Sequence, residues 1–174
     1  ENATARIVAK DLLTGHTFVV TPDYDRHSYP AIAGRKVAWI EAQTSSAPSR
    51  WLMLKDLDTG VIEPIYAPAL YEGLQPPAIS EEYVVWSNIE YNVAPLPDRV
   101  SLRAYDLRTH TTRVVAALRD PAATYAVSDH RVVWSDNGIH FADLSTNDTG
   151  FLATGGLDPA IHGDTVVWVQ PAAE

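Results

Sequence analysis

Ile7 and Ala9, Leu52 and Leu54, Leu102 and Ala104, and Ile139 and Phe141 are apolar pairs with one residue between their members. Each pair stands four and two places before an aspartate: Asp11, Asp56, Asp106 and Asp143. Successive side chains of a strand point to opposite faces, so this period of two predicts a strand with one buried face. Each aspartate opens an Asp-Leu-x-Thr segment closed by Gly15, Gly60, His110 or Asn147. Glycine at that place supplies the positive φ that a tight turn requires. A further strand is expected after each turn, at residues 18–20, 62–66, 113–115 and 151–152.

A second pattern alternates with the first. Residues 30–39, 77–86, 125–134 and 159–168 superpose without a gap and end at Trp39, Trp86, Trp134 and Trp168. Each reads as a hairpin. A short first strand (residues 31–33 in the first copy) leads to a turn at Gly34-Arg35, Glu81-Glu82, Asp129-His130 or Gly163-Asp164. The second strand is β-branched and aromatic, which suits a buried pleated surface. A proline opening the first strand stands where its missing N–H costs least.

Four hairpins of each kind at a regular period mean stacked supersecondary units. Two hairpins make a four-stranded antiparallel blade, and blades around an axis make an all-β propeller. The expected architecture is therefore one domain, residues 1–174, of four such blades in permuted order. The chain opens with strands three and four of a blade and closes with strands one and two. The terminal half-blades then pair to close the ring, or other polypeptide completes them. Helix signals are weak, with one helical turn conceivable over residues 67–73.

Composition narrows the partners. The 174 residues carry a net charge of −9 and no cluster of Lys and Arg. Phosphate binding needs a concentrated positive face, so nucleic acid is not expected as a partner. The same acidity argues against an anionic membrane surface, and no apolar run approaches a membrane span. The chain has no cysteine, which removes disulfides and thiolate metal sites from consideration. It opens at Glu1 rather than Met, which suggests that an upstream segment was removed.

The Pro-Ala-Ile hairpin ending in Val-Val-Trp and the Tyr-Asp-Leu-x-Thr hairpin, clearest at residues 105–109, resemble the repeats of TolB-like β-propellers. The resemblance covers roughly residues 7–169. It implies an extracytoplasmic protein (periplasmic, cell-surface or secreted). Propellers of this kind serve as protein-docking platforms, as sugar- or ligand-binding modules, or as gating domains of larger hydrolases. Family members usually carry more than four blades.

Candidate chemistry is sparse. The four recurrent Trp read as packing between blades rather than a stacking set for ligands. The four recurrent Asp read as turn caps rather than a carboxylate ring. No His pair has a metal-ligand spacing on one element, and His162 is the one His placed to face the central channel. There is no nucleophile elbow, no phosphate-cradling loop and no calcium loop of the helix-loop-helix type. Asp23, Asp25 and His27 are close in sequence and suit a cation, a sugar or acid–base work, or simply form a polar loop. Neither an enzyme nor a bound cofactor or metal is expected.

Loop length carries the functional expectation. From each Asp to the next Trp the spacing is 25 to 30 residues, whereas from Trp to the next Asp it ranges from 9 to 20. The extra length falls at residues 41–50 and 88–99, on the propeller face that also holds the blade-to-blade connections. Tyr24, Asp25, His27, Trp51, Tyr71, Tyr91 and Asn92 cluster there as candidate ligand- or partner-binding residues. Aromatics among adaptable polar neighbours are typical of recognition surfaces. The expected function is a non-catalytic module that binds protein or carbohydrate on this long-loop face, built from residues 24–27, 45–51, 71–74 and 89–97. The alternatives are an accessory propeller of a larger secreted enzyme and a structural surface protein that self-associates through its half-blades.

Overall fold

β-Branched and aromatic runs separated by Asp, Thr and Gly turns leave the backbone one way to satisfy its hydrogen bonds, the antiparallel ladder. The computed structural model describes residues 5–22, 26–42, 50–92 and 97–172. An N-terminal hairpin pairs β1 (Val8–Lys10) with β2 (Thr17–Val19). Blade 1 follows with β3 (Arg26–Ala33), β4 (Lys36–Ala42), β5 (Arg50–Asp56) and β6 (Ile62–Tyr66) in that spatial order. In blade 2, β7 (Glu72–Leu74) and β8 (Ala78–Ile79) both pair with β9 (Tyr83–Glu90). β10 (Arg99–Asp106) and β11 (Thr111–Leu118) complete that sheet. Blade 3 is β12 (Tyr125–Ser128), β13 (Arg131–Ser135), β14 (Gly138–Asp143) and β15 (Thr149–Thr154). A C-terminal hairpin pairs β16 (Leu157–His162) with β17 (Thr165–Val169).

The blades are thus those expected of a β-propeller, but the ring is not closed within the chain. The N-terminal and C-terminal hairpins are separate two-stranded sheets, and among the described residues no ladder joins them. Pairing requires strands about 4.8 Å apart. Instead, the first hairpin packs on blade 1 through Ile7 and Val20, and the last lies against blade 3. The result is an open arc of three blades with a half-blade at each end.

Two local expectations are also corrected. The innermost strand of blade 1 begins at Arg26, and a bulge between Ser28 and Ala31 places Tyr29 at a φ of 55°. Residues 67–71 form a turn rather than a helical turn, because β7 starts at Glu72.

The register of the second and third strands is the same in all three blades. Trp39 lies opposite Met53, Trp86 opposite Arg103, and Trp134 opposite His140. Three interfaces between neighbouring sheets form the core, with Trp39, Trp86 and Trp134 each buried in one of them. The leucine after each turn aspartate, at Leu57, Leu107 and Leu144, packs into the interface with the preceding sheet.

The turn aspartates cap as their spacing suggests. Oδ1 of Asp11, Asp56, Asp106 and Asp143 accepts from the backbone N–H groups two and three residues on, at 2.8–3.2 Å. These bonds favour the ionised carboxylate and hold all four below the ordinary value of 3.8. The Thr14 and Thr59 amides are the largest causes for Asp11 and Asp56. At Asp106 burial pushes upward but is outweighed by the Thr109 and Arg108 amides together with the Thr109 hydroxyl and the Arg108 charge. At Asp143 the Ser145 hydroxyl leads. A depressed folded pKa gives stability that is present above the unfolded value and lost as pH falls through the folded one. Stability should therefore decline below about pH 4, and carboxyl-carbon NMR titration should find four Asp midpoints under 3.8. Midpoints at or above that value would exclude the capping role.

Candidate functional site

The extra length in blade 2 is partly strand. β9 runs on to Glu90, which pairs with Arg99 on one side and Glu72 on the other. One step further, the Tyr91 N–H donates to the Tyr71 carbonyl at 2.8 Å. The sequence places these two tyrosines 20 residues apart, and the ribbon of β7 and β9 brings them side by side. Tyr71 is 70% exposed and Tyr91 52% exposed, and Leu70, next to Tyr71 in the chain, is 79% exposed.

The platform beneath is fixed. Tyr71 is held at a φ of 69°, a conformation that an L residue adopts only when its surroundings impose it. The Glu72 carboxylate accepts from the Tyr66 hydroxyl and from the Ala69 N–H, both at 2.9 Å. Burial, helped by that bond to Glu72, pushes the Tyr66 hydroxyl up to about 12, so it remains a donor. The Arg103 guanidinium lies 5.3 Å from the Tyr66 ring centre, a cation–π contact that steadies the same segment. Gly73 leaves room for the Tyr91 ring, since a Cβ there would meet the Tyr91 Oη at 2.8 Å.

The other candidates are placed differently. Tyr24 and Asp25 lie outside the described residues, as does Asp23. His27 is buried: its Nδ1 lies 2.7 Å from the Ala5 carbonyl, its Nε2 3.2 Å from Glu41 Oε2, and its ring meets the edge of Trp39. Trp51 is half-buried against the interface of blade 1 with the N-terminal hairpin. Asn92 closes the loop, donating from its backbone to Asp98 and from its side chain to the Pro97 carbonyl at 2.6 Å. Of the seven candidates, the structure joins Tyr71, Tyr91 and Asn92 at one tip and uses His27 and Trp51 inside blade 1. Leu70, next to Tyr71 in the sequence, was missed because only the pairing of β7 with β9 brings Tyr91 to the same place. His162 is exposed on β16.

A concavity of about 320 Å³ lies between the inner strands of blades 2 and 3, lined by Pro76, Pro77, Pro121, Ala122 and Tyr125. Among the described residues no group of three or more His, Asp or Glu could hold a metal ion. Among the described residues no helix is long and apolar enough to cross a membrane.

The sequence matches no protein-family model and no curated protein. Solved structures do match the fold. TolB from Acinetobacter baumannii superposes with a TM-score of 0.64 at 15% identity, over 98% of this chain and 44% of that one. An oligogalacturonate lyase in complex with manganese gives 0.60 at 13% identity, over 86% and 42%. The β-propeller domain of the Trilobed protease from Pyrococcus furiosus gives 0.64 at 12% identity, over 87% and 50%. The chain therefore spans half or less of the length of each. Identities this low speak for the fold alone: the chain has the β-propeller fold of TolB-like structures, as an arc of three blades between two half-blades.

Proposed function

We propose that the chain is a non-catalytic, extracytoplasmic interaction module that binds a protein or glycan through the tip of blade 2. One observation carries this reading: Tyr71 and Tyr91, two exposed aromatic residues, are joined through their backbones on a braced ribbon. Rigid aromatics lose little entropy on binding and supply much of the contact energy at recognition surfaces. Leu70 adds apolar area, and Asn92 and Asp98 give the patch a polar rim. The extracytoplasmic setting rests on the likeness to TolB-like propellers.

A double variant, Tyr71→Ser with Tyr91→Ser, tests the reading. Both rings are exposed, so the melting temperature should change little. Hot-spot residues cost more than about 1 kcal/mol each, so binding in a panel of envelope proteins and oligosaccharides should weaken by at least about tenfold. Undiminished binding by the folded double variant would move the function to another face. An accessory propeller of a larger secreted enzyme is the second reading, supported by the likeness to the Trilobed protease domain. It predicts that a hydrolase domain added in trans changes its substrate selection when this chain is present.

A further inference from the structure

The geometry points to a second binding site, for a neutral sugar, in a cleft of about 440 Å³ between blade 3 and the C-terminal hairpin. Three connections form its walls: residues 119–121 entering blade 3, residues 135–138 between β13 and β14, and residues 155–157 leading into β16. The loop between second and third strands stands at the same end of each blade, so the cleft shares a face with the tip of blade 2 but is separate from it. Its volume falls among those of small-ligand sites, roughly 300–1,000 Å³. The space is open because this loop is the shortest of the three blades. β13 ends at Ser135 and β14 starts at Gly138, whereas residues 91–98 separate β9 from β10.

Arg119, Asp120, Asp136 and Asn137 line the cleft. The two carboxylates are held in place from one side. Asp136 Oδ1 accepts from the Arg119 N–H at 3.1 Å, and the Asp136 carbonyl lies 3.1 Å from His140 Nε2. Asp120 Oδ1 accepts from the Ala122 N–H at 2.8 Å. The Oδ2 atom of each carboxylate, the Arg119 guanidinium and the Asn137 side-chain amide have no hydrogen bond or ion pair among the described residues. Positioned polar groups with unused bonding capacity are what a ligand site requires. Gly155, at a φ of 66°, has nothing within 4 Å of the place a Cβ would take, so a ligand can approach the backbone there.

The mixture of groups selects the ligand class. The guanidinium and the amide nitrogen donate, while the carboxylates and the amide oxygen accept. Pro121 and Leu157 add apolar wall, and Leu157 is 51% exposed. A sugar ring matches this set, because each hydroxyl both donates and accepts and the ring carbons present an apolar face. Adjacent hydroxyls also fit the paired positions of a planar carboxylate, amide or guanidinium. Charged ligands fit less well. A small anion would meet two carboxylates, and a bare cation would meet Arg119 with only two carboxylates to hold it. A neutral sugar meets neither repulsion.

The test follows backbone amide signals of the whole chain by NMR. Methyl α-D-glucoside, methyl α-D-galactoside, methyl α-D-mannoside and N-acetylglucosamine are added in turn. At least one should shift the amides of residues 119–122, 136–138 and 155–157 in a saturable way. Arg119→Ala and Asn137→Gly should each weaken that binding at least about fivefold. Glycine suits the φ of 60° at position 137, so the second variant removes the amide and keeps the turn. Signals away from the cleft should stay in place in both, because neither side chain has a partner in the fold. No saturable shift in the cleft with any of the four sugars would overturn the proposal. So would preference for inorganic phosphate or calcium over every sugar, or sugar binding that both variants keep in full. Shifts confined to Tyr71, Tyr91 and their neighbours would also overturn it, while leaving the reading of the blade 2 tip intact.

Discussion

Replacing Trp86 by Ala should destabilise the chain by about 3–5 kcal/mol. The indole is fully buried between blades 1 and 2, among Ala38, Leu52, Leu54 and Leu74, with the Tyr66 ring centre 5.2 Å away. Rigid ladders on both sides prevent the interface from collapsing into the space left behind, so the cavity cost adds to the lost transfer energy. Trp86 Nε1 has no hydrogen-bond partner among the described residues. Trp86→Phe should therefore cost far less than Trp86→Ala, since it relieves an unpaired buried donor while keeping a ring. Trp168→Ala is the internal control. It should stay within about 0.5 kcal/mol, as exposed sites do, since Trp168 is 37% exposed. Urea unfolding of the three variants decides the matter: equal losses at Trp86 and Trp168 would mean that the recurrent Trp are not interface residues.

Tyr125→Phe should cost about 1–3 kcal/mol, because it strips two bonds and leaves both partners behind. The Tyr125 hydroxyl crosses from blade 3 to blade 2, donating to the Pro76 carbonyl at 2.5 Å and accepting from the Ser87 N–H at 3.0 Å. Burial pushes the hydroxyl up to about 12, so it stays protonated across the working pH range. The Ser87 amide should lose protection in hydrogen exchange by more than its neighbours on β9, since the opening is local to that bond. Unchanged exchange at Ser87, with a loss under about 0.5 kcal/mol, would show that water replaces the hydroxyl without cost.

The two variants probe different parts of one design. Trp86 fills the interface, while Tyr125 ties the inner strands of adjacent sheets together. Ser80 and Ser128 make similar ties near the opposite end of those strands. Apolar packing sets how far the blades are spaced, and these polar bridges fix their rotation about the axis. A strand carrying both kinds of contact has little freedom, which makes the inner strands a rigid base for the exposed tip of Tyr71 and Tyr91.

The amino-acid sequence by itself determined the strands, their turns and their pairing within each blade. Those features depend on residues near one another in the chain: the period of two, the Asp caps at Asp11, Asp56, Asp106 and Asp143, and the positive φ at Gly15 and Gly60. It also marked Trp39, Trp86 and Trp134 as packing residues. Contacts between sheets were decided by the tertiary structure. Trp168 has the same local sequence as its buried counterparts but is exposed, because burial depends on the neighbouring strands and not on the repeat. His27 reads as a polar loop residue, yet β3 begins at Arg26 and carries it inward to Glu41. Tyr125 occupies the position that is proline in the other three units, and only the approach of blade 2 gives its hydroxyl partners. Tyr71 and Tyr91 form one surface because β7 adds to the edge of β9, a pairing across a bulge that no periodicity records. Whether the terminal half-blades meet was likewise beyond local pattern, since small rotations at each interface accumulate along the arc.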